Sequence, residues 1–139
     1  MERPQRALSD RDFERLLAFR DGLRRFLHWS DQQAEAVGMT GTQHQLLLAV
    51  RGHGEPAPSI GDVADHLLLR HHSAVELVDR AEKAGLVRRE NDPDDQRVVR
   101  LRLTRKGSRK VESLAAAHLE ELSRLRPRFA GLWDDLPDA

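Results

Sequence analysis

The sequence predicts a mainly α fold that carries one small β-hairpin, and three observations predict it. Apolar residues recur at helical spacing over most of the 139 residues. Three Ser/Thr residues stand three positions before an Asp or Gln, the spacing of a capping box, each ahead of an apolar stripe. Arg97 to Leu103 instead alternates with period two, as a strand does.

The first helix is opened by Ser9 and Asp12, striped by Phe13, Leu16, Leu17, Leu23, Phe26 and Leu27, and stopped at Gly38. Thr40 and Gln43 cap a second, short apolar helix that runs through Val50, and "GHGEPAP" after it reads as a loop. Ser59 and Asp62 open a third, "SIGDVADHL". After a break around "LLR", a fourth turns Ala74, Leu77, Val78 and Ala81 inward, with Gly85 where a left-handed C-terminal residue is wanted. Leu86 to Glu90 makes a short strand. The strand from Arg97 to Leu103 returns past a polar loop, with Val99, Leu101 and Leu103 on one side and Val98, Arg100 and Arg102 outside. Asp92-Pro93 supplies turn chemistry, because Asp side chains bond nearby backbone and Pro presets φ. Thr104 caps a long last helix striped by Val111, Leu114, Leu119, Leu122 and Leu125. Pro127 interrupts it ahead of "RFAGLWDDL", read as one more short helix.

Two short helices across a tight turn, followed by a two-stranded hairpin, form the winged helix-turn-helix arrangement. Residues 1–139 are read as a single domain of that kind. Its core spans 40–104, and flanking helices at 9–38 and 105–139 are more apolar than one small core needs. That surplus predicts a homodimer built through them.

Composition narrows the partners. Net charge is zero, yet the stretch from Arg70 to Lys110 holds 12 Lys/Arg against 7 Asp/Glu. A neutral chain can therefore present a positive face. The absence of cysteine excludes disulfides, thiolate metal sites and thiol redox sensing. The start "MERPQRALSDRDFERLL" lacks the apolar run of a signal peptide, and no aliphatic run is long enough to span a membrane, so the expected address is cytoplasmic.

A helix-turn-helix lays its second helix in the major groove, N-terminal residues toward the base edges. Here that end is "RHHSAVE": Arg70 offers a guanidinium to phosphate or to guanine, and His71, His72 and Ser73 offer further donors. Glu76 has two readings, acceptance from a cytosine amino group or pairing with Arg80 four residues on. Arg97 stands just past the hairpin turn, where a tip reaches a minor groove or phosphate. Asp95, two residues before it, is placed to hold it in one rotamer. Arg100, on the strand's outer side, is a further DNA-contact candidate. The bland alternative is a solvated hairpin whose arginines merely keep an edge strand from aggregating.

The stretch "LVDRAEKAGLVRRENDPDDQRVVRLRLTRKG" resembles the MarR family of bacterial transcriptional regulators. The likeness lies in the recognition-helix end and in a wing of Asp-x-Arg followed by Leu-Thr-x-x-Gly, here Asp95, Arg97, Leu103, Thr104 and Gly107. The element order matches from about residue 9 to 126, and residues 59 to 107 carry the specific part. The resemblance implies a homodimer on a near-palindromic double-stranded DNA operator, usually a repressor, often released when a small ligand enters a cleft near the dimer interface. It also implies that Arg97 is the wing arginine and that Trp29 and His44 lie near the effector cleft. Two departures limit it. The recognition helix begins "RHHSA" where the family often has Ser-Arg-Ser-Thr, so operator sequence does not transfer. The lack of cysteine excludes the thiol-switch branch.

Seven histidines raise a metal reading. His71 and His72 are adjacent, so their rings do not converge on a helix, and the others stand apart in sequence; neither metal nor cofactor is expected. No Gly-x-Ser-x-Gly, phosphate-cradling glycine loop or His-Glu-x-x-His is present, so no catalytic residues are assigned and no enzyme is expected. The rival to a DNA-binding regulator is a winged-helix protein-interaction module without DNA binding. Glu76, Asp79 and the zero net charge favour it. The DNA-binding reading requires the start of the fourth helix and the hairpin tip to be exposed and not on opposite surfaces.

Overall fold

The computed structural model describes residues 7–134 and 136. The ends of the expected segments 1–139 and 105–139, namely residues 1–6, 135 and 137–139, lie outside them. The elements run α1 (Asp10–Ala36), α2 (Gly41–His53), α3 (Ile60–Leu67), α4 (His71–Lys83), β1 (Val87–Asn91), β2 (Val99–Leu103) and α5 (Arg105–Leu125). They form two compact units, residues 30–116 and residues 1–29 with 117–139. The division falls inside α1 and α5.

In the unit of residues 30–116, the expected capping boxes fix where the helices start. The Thr40 hydroxyl accepts the Gln43 N–H at 3.0 Å, and the Gln43 side chain accepts the Thr40 N–H at 3.1 Å. Ser59 and Asp62 repeat the exchange at the head of α3, at 3.1 and 3.0 Å. Each cap satisfies two of the amides a helix start leaves without intrahelical partners, worth about 1 kcal/mol. Helix α3 stops at Leu68, which takes a left-handed conformation (φ 54°, ψ 43°) and turns the chain into α4. Gly85, at φ 74°, ends α4 as expected.

Inward-facing side chains of these elements make one core. Leu46 and Leu47 of α2, Val63 of α3 and Val78 of α4 have no accessible surface, and Leu86, Val87 and Leu101 close it from the hairpin side. Burying each such side chain contributes roughly 1.5–3 kcal/mol. Strands β1 and β2 pair antiparallel from Val87↔Leu103 to Asn91↔Val99. A bridge between Ser59 and Arg100, with the Leu101 N–H on the Pro58 carbonyl at 2.8 Å, ties the α2–α3 loop along the outer edge of β2.

The hairpin differs from expectation at its tip. The second strand begins at Val99, because Val98 is held by turn bonds: its N–H reaches Asp95 O at 3.0 Å and its carbonyl accepts the Asp92 N–H at 2.9 Å.

In the other unit, rings pack together: Phe19 with Phe129 at 5.8 Å between centroids, and Trp29 with His118 at 4.8 Å. Residues 128–134 do not form the expected short helix but a run of turns closed by bonds such as Leu132 N–H to Phe129 O. Gly131, at φ 76°, interrupts any helical path there. Phe13, Leu16, Leu17, Leu119 and Leu122 remain exposed.

Candidate nucleic-acid interface

Helix α4 starts at an N-cap, Arg70, whose side chain makes no capping bond. Arg70, His71 and His72 are exposed at that start and Ser73 is half-buried. One turn on, Ala74 is fully buried, and Val78 and Ala81 repeat the anchor. The apolar positions therefore fix the helix's rotation and leave its amino-terminal donors outward. The first-turn amides, lacking intrahelical acceptors, point the same way.

Two acids farther along α4 share one cation from β1. The Arg89 guanidinium donates to Asp79 at 2.6 Å and to Glu82 at 2.7 Å, and these bonds raise its pKa above the ordinary guanidinium value, Asp79 first among the causes. Arg89 thus fastens α4 to the wing and offsets part of the negative charge of those two acids. Sequence reading did not assign it, because its partners lie ten and seven residues away on another element. No ion pair joins Glu76 to Arg80 among the described residues, where both instead line a shallow hollow with Thr40 and Gln43.

At the wing tip Arg97 is 90% exposed. Asp95 grips it at three points: Oδ1 accepts the Arg97 backbone N–H at 3.1 Å and its Nε–H at 3.0 Å, while Oδ2 accepts an Nη–H at 3.1 Å. The pair holds the Asp95 carboxyl below the usual aspartate range, the Arg97 side chain first among the causes. The acids at the tip therefore build the turn and point an arginine outward. Asp92 accepts the N–H groups of Asp94 and Asp95 at 2.8 and 3.1 Å.

Arg100 is a correction. Its expected outward position is not found: the side chain is only 22% exposed and is spent on Asp92 at 3.0 Å and the Ala57 carbonyl at 3.0 Å. Period two sets which face of β2 it occupies, but the α2–α3 loop covers that face. Arg102, also expected outside, donates to Glu55 at 2.6 Å.

The remaining candidates lie elsewhere. Trp29 is half-buried against His118 and Phe26. His44 is buried in the unit of residues 30–116. His53 and His66, separate in sequence, meet with ring nitrogens 2.8 Å apart, and His53 Nε2 lies 3.8 Å from Asp62. No group of three or more metal-ligating side chains is found among the described residues. Nor is any described helix long and apolar enough to cross a membrane.

A capped helix pair, an exposed second-helix start and an arginine-tipped hairpin define a winged helix-turn-helix protein. Residues 37–98 match the model described as MarR family. The HTH-type transcriptional regulator YsmB of Bacillus subtilis (strain 168), itself uncharacterized, is 34% identical over 77 residues, 55% of this chain and 51% of YsmB. The chain thus matches about half the length of that relative. Among solved structures, MepR of Staphylococcus aureus in complex with DNA superposes with a TM-score of 0.68 at 24% identity, over 79% of this chain and 80% of MepR. AbsC, a MarR family transcriptional regulator from Streptomyces coelicolor, gives 0.70 at 23% identity, over 92% and 84%. These likenesses establish the fold.

Proposed function

We propose that the protein is a sequence-specific double-stranded DNA-binding transcriptional regulator, a repressor by its family resemblance, acting as a homodimer. One observation carries the reading: Arg97 projects from the wing tip, held by Asp95 and otherwise in solvent. A guanidinium kept in place without a buried partner is suited to an anion outside the molecule, and it loses less side-chain entropy on meeting one. Arg70, His71, His72 and Ser73 would meet base edges and phosphates in the major groove, with Arg97 in the minor groove or on its rim. MepR, similar in fold, was solved with DNA.

Titrating salt against binding to genomic duplex fragments tests this. Counterion release requires the logarithm of affinity to fall linearly with the logarithm of salt, by about 0.9 per phosphate neutralised. Flat, feeble binding would instead favour the protein-interaction module.

The dimer rests on the exposed apolar side chains of the terminal helices, Phe13, Leu16, Leu17, Leu119 and Leu122 among them. A second copy would cover them and set two recognition helices on half-sites about ten base pairs apart. Light scattering at micromolar concentration should give twice the protomer mass; the protomer mass alone would overturn this assignment. Release by a small effector belongs to the same reading. Trp29, half-buried, is the aromatic surface proposed to meet an effector, whereas buried His44 would act through packing.

A further inference from the structure

We infer that Arg100 is a positioning residue for the wing arginine: it anchors the wing turn to the α2–α3 loop through Asp92, so that Arg97 is presented to DNA in one place. The inference rests on the DNA-binding reading above and assigns Arg100 a part that involves no DNA contact of its own.

A continuous set of bonds runs from the body of the molecule to the tip. Ala57 is buried, and its carbonyl accepts an Arg100 Nη–H at 3.0 Å. The Arg100 Nε–H donates to Asp92 Oδ2 at 3.0 Å. The other oxygen, Oδ1, accepts the Asp94 and Asp95 amides at 2.8 and 3.1 Å, which shapes the turn. Asp95 then grips Arg97 at its backbone and guanidinium. Arg100 and Asp92 are the sheltered members, 22% and 14% exposed, whereas Arg97 is 90% exposed. A seven-residue connection from Asp92 to Val98 would otherwise swing about the end of a two-stranded ribbon, which is marginally stable by itself. The bridge between Ser59 and Arg100 fixes the same point through the backbone. Asp92 lies well placed to be a hinge pin: its carboxyl is held below the usual aspartate range by the Asp94 amide first and by Arg100 next.

Asp92→Asn separates this reading from simple electrostatics. Asparagine keeps an oxygen for the two turn amides but sets an NH2 against the Arg100 Nε–H, breaking the link to the body. Removing an acid from a basic surface should tighten DNA binding if only charge matters. Loss of positioning should weaken it.

The experiment is a double-mutant cycle on the full-length protein with a mixed-sequence duplex of about 30 base pairs, enough for two half-sites a turn apart. Arg100→Gln and Asp92→Asn should each weaken binding roughly threefold to tenfold, and neither should weaken it further once Arg97 is alanine. The Arg97 Nε–H signal in nitrogen-15 spectra, expected to be sharp in the parent protein because Asp95 accepts it, should broaden in both variants without DNA present. Additive losses with Arg97→Ala, tighter binding by Asp92→Asn, or an unaltered Arg97 Nε–H signal in Arg100→Gln would each overturn the inference. If the parent protein binds duplex only feebly and without salt dependence, the DNA-binding reading fails instead. The nitrogen-15 signal would still decide whether Arg100 positions Arg97. Equal binding by the parent and Arg97→Ala would remove the wing's contact with DNA, and the inference with it.

Discussion

Replacing Gly107 with alanine is expected to lower the melting temperature by about 10 °C, corresponding to about 3 kcal/mol at this chain length. Gly107 lies in the first turn of α5, with its Cα pressed against the backbone of Leu86, and an added Cβ would overlap the Leu86 carbonyl oxygen. That oxygen has little room to retreat. It accepts the Thr104 N–H at 3.1 Å, and the Leu86 amide is itself bonded to Ala81 O at 2.9 Å. Thr104 completes the lock, its hydroxyl donating to Gly85 O at 2.5 Å and accepting the Gly107 N–H at 3.0 Å. The end of α4, the root of the wing and the start of α5 meet at this point. A shift there would loosen the whole core around Leu86 and Leu101. Gly52 is the control. It lies in the last turn of α2 with nothing within 4 Å of an added Cβ, so Gly52→Ala should stabilise through helix propensity by up to roughly 0.5 kcal/mol. Thermal unfolding followed by circular dichroism measures both. A Gly107→Ala protein melting within about 2 °C of the parent would refute the packing argument.

The same locus shows what a sequence can and cannot reveal. Leu103, Thr104 and Gly107 are legible as a motif, and the caps at Thr40 and Ser59 as local chemistry, because their partners lie within three residues. Helix α4's inward face is legible from its period. The braces are not. Arg89 with Asp79 and Glu82, Arg100 with Ala57, and Arg102 with Glu55 join residues brought together only by the fold. For Arg100, alternation gave the right face of the strand and the wrong environment, since nothing in a period-two pattern says that a loop will cover that face. The signal available was indirect: Arg100 lies eight residues past Asp92, the distance at which a hairpin folds back. The tail past Pro127 failed for a different reason. "RFAGLWDDL" has helical composition, but Gly131 takes a positive φ within it.

Arg97→Ala should weaken binding to any duplex, operator or not, by about tenfold or more, while leaving folding and oligomeric state unchanged. The prediction follows from what Arg97 does and does not touch. Its side chain is 90% exposed and bonds only within the tip, so its removal opens no cavity and strands no buried charge; Asp95 keeps its bond to the backbone N–H of residue 97. What is lost is a fixed cation beyond the end of the sheet. A contact with phosphate, or with a narrow minor groove of raised negative potential, carries little base-pair information, so specific and non-specific affinity should fall together. The salt dependence should become shallower by about 0.9 for each wing removed. Arg70→Ala should behave differently. A guanidinium at the start of the recognition helix that reads guanine loses discrimination as well as affinity, so operator binding should fall more than binding to random duplex. Fluorescence anisotropy with the two duplexes across a salt series gives both quantities. Equal affinity of Arg97→Ala and the parent on both duplexes would mean that the wing does not touch DNA, and the major-groove helix would then have to account for all binding.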